Sequence, residues 1–138
     1  MNDFFAMIYE GIFYSQPFSN DMFNNNIYFT TGITFILICI LFLFLYYKII
    51  DMQKLAKQII YWIVNLGVAL INFIVVFLIS YNEIRMIYNF NGEDIPYFSP
   101  FITFGLINAG LSFVLFFILS FLVRLISNNS RYIPFGRF

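Results

Sequence analysis

Residues 59–81 read IIYWIVNLGVALINFIVVFLISY, with no Asp, Glu, Lys, Arg or His anywhere in the stretch. A helix needs roughly 20 mostly apolar residues to cross about 30 Å of hydrocarbon. This stretch is therefore expected to be a transmembrane helix, and it decides the fold. Residues 27–47 (IYFTTGITFILICILFLFLYY) and 101–126 (FITFGLINAGLSFVLFFILSFLVRLI) meet the same test. Arg124 is the only charged residue in any of the three. It stands two residues before the end of its run, where a long stem can snorkel to the surface. The expectation is an all-α membrane protein with three spans at residues 27–50, 59–81 and 101–126.

The rest of the composition agrees. Of 138 residues, 62% are hydrophobic and 10% charged, which excludes an ordinary soluble domain. Residues 1–26 and 127–138 leave little to fold in water, as a leader and a tail around one membrane domain. Net charge is zero and no basic patch exists, so no nucleic-acid partner is expected. Residues 1–14 lack the positive start of a secretory signal, and no small-residue cleavage site follows.

Chemistry inside the bilayer is hard to assemble from these residues. Catalysis needs a nucleophile with a base, paired acids or a metal cluster. Ser80, Ser112 and Ser120 have no histidine to activate them, since the chain contains none. Cys39, the single cysteine, cannot form a disulfide within the chain and reads as a small apolar filler. No metal site, no directly bound cofactor and no catalytic residue is expected. A stand-alone proton carrier would ordinarily need an ionisable group at depth, and the spans offer none.

Charge sets an expected orientation. Lys48, Lys54 and Lys57 lie between the first two spans, and Arg124, Arg131 and Arg137 at or after the end of the third. Only Arg85 falls on the other side. The positive-inside rule then puts the N-terminus outside and the C-terminus inside, with Lys48, Lys54, Lys57 and Arg124 as inner-side anchors. Tyr46, Tyr47, Tyr61 and Trp62 fit an inner aromatic belt, and Tyr28, Tyr81 and Tyr97 an outer one.

Between the spans, residues 2–14 alternate apolar and acidic positions in the manner of a short interfacial helix; a disordered leader is the alternative. Residues 15–26, with Pro17 and three successive asparagines, read as a loop. Residues 48–58 suggest a helical continuation with a tight reversal. Residues 82–100 read as the longest loop, broken by Gly92, Pro96 and Pro100, and the tail 128–138 lacks periodicity.

Polar and small residues repeat at helical spacing within two spans. Asn65, Ala69, Asn72, Val76 and Ser80 form one stripe; Gly105, Asn108, Ala109, Ser112 and Ser120 form another. Small residues, here Gly67, Ala69, Gly105, Ala109 and Gly110, let helix backbones approach, and amides or hydroxyls bond between helices. Packing is the first reading of Asn65, Asn72, Asn108 and Ser112. The alternative is a hydrated path lined by the three asparagines.

High Phe (21) and Tyr (10) with scarce lysine is the composition of a protein from an AT-rich organellar genome. The stretches Leu66-Gly67-Val68-Ala69-Leu70-Ile71-Asn72 and Leu106-Ile107-Asn108-Ala109-Gly110-Leu111-Ser112 resemble the second and third helices of chain 4L. That chain is the small three-helix subunit of the membrane arm of respiratory complex I (NADH:ubiquinone oxidoreductase). The resemblance covers about residues 46–126. It implies a mitochondrial inner-membrane subunit of a proton-pumping, electron-transporting assembly, partnered by other membrane subunits and the lipid bilayer. The family's two relay glutamates fall at Ala69 and Gly110 here, so the resemblance implies a scaffold without relay carboxylates of its own. Other readings stay open: a structural subunit of ATP synthase or cytochrome oxidase, or a bacterial small membrane protein, either a holin-like pore former or an envelope-complex component.

Overall fold

A computed structural model describes residues 1–50 and 58–123, and every regular element in it is helical. The order is α1 (Asn2–Glu10), α2 (Gln16–Asn24), α3 (Ile27–Leu45), a π-helical turn (Tyr46–Ile50), α4 (Gln58–Asn91) and α5 (Ser99–Val123). Three helices are long and apolar enough to cross a membrane: Ile27–Lys48, Ile59–Asn91 and Ser99–Val123. The protein is an integral membrane protein. Lys54, Lys57, Arg124 and the tail lie outside the described residues.

Two expectations about connections are corrected. Residues 15–26 are mostly helix, because Pro17 sits in the first turn of α2, where its fixed φ and missing N–H suit a helix start. The turn into α3 falls instead on Asn26, at φ 56°, a left-handed conformation that asparagine tolerates better than most residues. The second span also does not stop at Tyr81. It runs on to Asn91, giving 34 residues and about 51 Å of helix at 1.5 Å per residue. Glu83 and Arg85, the first charges along α4, are exposed on this last portion. Gly92, at φ +71°, ends it, and Pro100 lies in the first turn of α5.

The three long helices pack up-down-up, with α4 and α5 the most closely associated pair. Gly105 explains the approach: a Cβ there would lie 3.0 Å from the Phe73 ring. The two short helices cap the end where α3 and α5 begin and α4 ends. Helix α1 turns Phe5, Ala6 and Tyr9 inward and leaves Phe4, Met7 and Ile8 exposed on its other side. Asn2 fixes its start, donating to the Phe23 carbonyl at 2.8 Å and accepting from the Phe29 N–H at 3.1 Å. Helix α2 buries Phe18 and Met22. The Phe18 ring meets Phe101 edge-on at 5.3 Å and Phe104 at 5.8 Å.

The tyrosines expected in headgroup belts mostly point inward. Tyr28, Tyr46 and Tyr61 are each at most 1% exposed. Tyr28 joins Tyr9 and Phe104 in an aromatic knot at the capped end. Tyr46 and Tyr61 pack together at 5.6 Å at the opposite end, beside Phe116 and Trp62. Tyr61 and Tyr9 find partners for their hydroxyls inside the bundle, which removes the need to reach the headgroups.

Candidate functional site

The candidate site is a ladder of neutral polar side chains between the helices, running the length of the bundle. At the capped end, Asp21 of α2 accepts hydrogen bonds from the hydroxyls of Tyr88, at 2.9 Å, and Tyr97. One carboxylate therefore ties α2 to α4 and to the α4–α5 connection. Burial, helped by the neighbouring Asp21 carboxylate, pushes the Tyr97 hydroxyl well above the usual tyrosine range.

One step inward, the Tyr9 hydroxyl donates to Oδ1 of Asn108 at 2.7 Å, and Nδ2 of Asn108 donates to the Phe104 carbonyl at 2.9 Å. Both oxygen and nitrogen of that amide are used. The Tyr9 hydroxyl is also pushed up by burial, with Thr31 beside it.

Near mid-bundle, three helices meet at Cys39. Its thiol donates to the Ser112 carbonyl at 3.7 Å and its sulfur accepts from Nδ2 of Asn72 at 3.8 Å. These are weak contacts, yet they place the thiol at the junction of α3, α4 and α5, a position that a filler reading of Cys39 did not anticipate. Asn72 also donates to the Val68 carbonyl at 3.3 Å, and Ser112 to Ala109 at 2.9 Å. Two turns along α4, Asn65 donates to the Phe113 carbonyl of α5 at 3.4 Å. The far end closes on Ser120, which accepts at Oγ from Tyr61 at 3.0 Å and at its carbonyl from Tyr47 at 3.3 Å.

The stripe residues thus come to one place. Asn65, Asn72, Asn108 and Ser112 are fully buried, and Ala69 and Gly105 are buried with them. Ala109 is half-buried. Gly67 and Gly110 are different: an added Cβ would find nothing within 4 Å at either position. Neither is a close-packing point within the chain. Gly67 lies in the floor of an apolar groove of about 340 Å³ between α3 and α4, flanked by Phe42, Leu45 and Ile71. Gly110 is exposed between Leu106 and Val114. Lys48 is exposed, its Nζ 5.0 Å from the centre of the Phe44 ring.

Chemically the ladder can position helices and little else. It contains no carboxylate, ammonium or imidazole between Tyr9 and Tyr61, and among the described residues no group of three metal-ligating side chains occurs. Oδ1 of Asn65 and Oδ1 of Asn72 are buried without a hydrogen-bond partner. Seven residues of helix, about 10 Å, separate them, so they do not form a continuous acceptor line. Sequence reasoning missed Tyr9, Asp21, Tyr88 and Tyr97, whose partners lie 67 to 99 residues away. Comparison with protein families, curated proteins and solved structures finds no match.

Proposed function

We propose that this chain is a non-catalytic scaffold subunit of a larger membrane-embedded assembly. One observation carries the reading. The polar side chains at depth are neutral and bonded within or between the chain's own helices, while each long helix keeps an exposed apolar ridge. Leu37 and Phe44 stand on α3, Leu66 and Leu70 on α4, and Leu106 and Leu122 on α5, all at least half exposed. Such a body is a self-bonded packing unit whose apolar outer faces either lipid tails or neighbouring membrane helices can cover. Chain 4L of complex I is one specific candidate for the role; the two-helix cap and the long α4 are features that resemblance does not account for.

Extraction in mild detergent, followed by native electrophoresis and cross-linking, tests the proposal. The chain is expected to migrate with larger membrane subunits, and NADH:ubiquinone oxidoreductase activity in the same band would favour the complex I reading. Migration as a free monomer would overturn the scaffold role. So would ion or proton flux through vesicles containing the purified chain alone, which a holin-like pore would show.

A further inference from the structure

The capped end carries a second feature that the scaffold role leaves unused. A cleft of about 300 Å³ opens between the last turns of α4 and the connection to α5, lined by Tyr81, Arg85 and Asn89 on one side and by Asp94 and Phe98 on the other. Tyr81, Arg85 and Asn89 recur every four residues, so they share one helix face, each about 6 Å beyond the last. The uncharged part of α4 ends at Asn82, and Glu83 and Arg85 are its first charges. A headgroup layer adds roughly 5–8 Å to each side of the hydrocarbon. Counted from Tyr81 at the hydrocarbon edge, Arg85 then lies about 6 Å further out, within the headgroup layer, and Asn89 about 12 Å out, on its water side.

We propose that this cleft binds the headgroup of a zwitterionic phospholipid, with a primary ammonium of the ethanolamine type preferred. The inference goes beyond the scaffold role and needs no knowledge of its partners. Arg85 is exposed, makes no ion pair among the described residues, and offers the planar fork of donors that phosphate oxygens accept. Further out, the Asp94 carboxylate and Oδ1 of Asn89 are acceptors for the three N–H donors of an ammonium. A choline headgroup has no such donors. A headgroup bearing only phosphate would leave Asp94 repelling it. Closer to the hydrocarbon, the rings of Tyr81 and Phe98 cross at 82° with centroids 6.2 Å apart, an apolar corner for glycerol and the first methylenes. Aromatic corner, cation and acceptors thus follow one another outward along the cleft in the order in which a lipid presents chain, phosphate and ammonium. Tyr97, whose hydroxyl is held by Asp21, fixes the wall that carries Asp94 and Phe98.

The test is native mass spectrometry of the full chain released from nanodiscs of equal phosphatidylethanolamine, phosphatidylcholine and phosphatidylglycerol. The wild type is expected to retain phosphatidylethanolamine several-fold over the other two. Arg85→Gln should lower retention of every phospholipid by about tenfold, the loss of one charge-assisted bond. Asp94→Asn should leave phosphatidylcholine retention unchanged and erase the preference for phosphatidylethanolamine. Glu83→Gln, at an exposed position outside the cleft, should behave as wild type. Competition by millimolar phosphoethanolamine would assign the site to a soluble headgroup, and failure to compete would assign it to lipid. Equal retention of the three lipids by the wild type, or unchanged retention by an Arg85→Gln/Asp94→Asn double variant with native helicity, would overturn the proposal.

Discussion

Tyr9→Phe removes a single oxygen from a site where the ring is 1% exposed and its acceptor, Asn108, is fully buried. The ring and its contacts with Tyr28 and Phe104 remain, so the change isolates the 2.7 Å hydrogen bond. Oδ1 of Asn108 is then buried with no donor, which costs about 1–3 kcal/mol in soluble proteins. Polar contacts between membrane helices measure lower, about 0.6 kcal/mol on average and about 1.7 at most. A loss of about 1–2 kcal/mol is expected. Asn108→Leu strands the phenol instead, but the Thr31 side chain lies beside it, so the loss should be smaller. The double variant strands neither group. Its loss should fall below the sum of the two single losses by about 1 kcal/mol. Equilibrium unfolding in mixed micelles titrated with sodium dodecyl sulfate gives the three free energies. Single losses that add within about 0.5 kcal/mol would mean that the two residues are independent, and the reasoning that joins α1 to α5 through this bond would be refuted.

Other outcomes follow from the same packing. Gly32→Leu should detach α1, since even a Cβ at Gly32 would lie 2.3 Å from the Phe5 ring; hydrogen exchange should show α1 amides deprotected while α4 and α5 keep their protection. Gly67→Leu and Gly110→Leu should leave monomer stability unchanged or raise it by up to about 1 kcal/mol, because both sites are open and glycine is a poor helix former. Gly110→Leu in cells should nonetheless reduce recovery of the chain in its native-gel assembly if a neighbouring helix crosses there. Stability should fall above the ordinary tyrosine value near 10, where unfolded tyrosines ionise while Tyr9 and Tyr97 remain protonated in the fold. Tyr97→Phe should make that alkaline decline shallower by at most the slope that one ionising group contributes, read from an unfolding series against pH.

The spans were legible because length and apolarity alone decide them, and the stripe of Asn65, Asn72 and Asn108 because helical spacing does. The second short helix was missed because Pro17 and the asparagine run look like turn chemistry, and only its docking of Phe18 and Met22 onto the bundle makes a helix worthwhile. The extension of α4 was missed because Asn82–Asn91 carries charges and loop formers; what supports it is Ile84, fully buried, and the Tyr88–Asp21 bond from another helix. Belt positions for Tyr28, Tyr46 and Tyr61 follow from chain depth, but depth does not say which way a ring points. Gly67 and Gly110 share a residue type with Gly105, and only the neighbour's position separates a contact from an opening.

The bonds of the N-terminal cap also fix an order of events during synthesis. Tyr9 is joined to Asn108 and Asp21 to Tyr88 and Tyr97, so residues of α1 and α2 must wait for partners that are made later. Until the third hydrophobic helix has been threaded into the bilayer, α1 and α2 can rest on α3 but lack these more distant partners. The last bonds of α1 and α2 therefore close only once the third span is in place, so their formation marks a completed bundle.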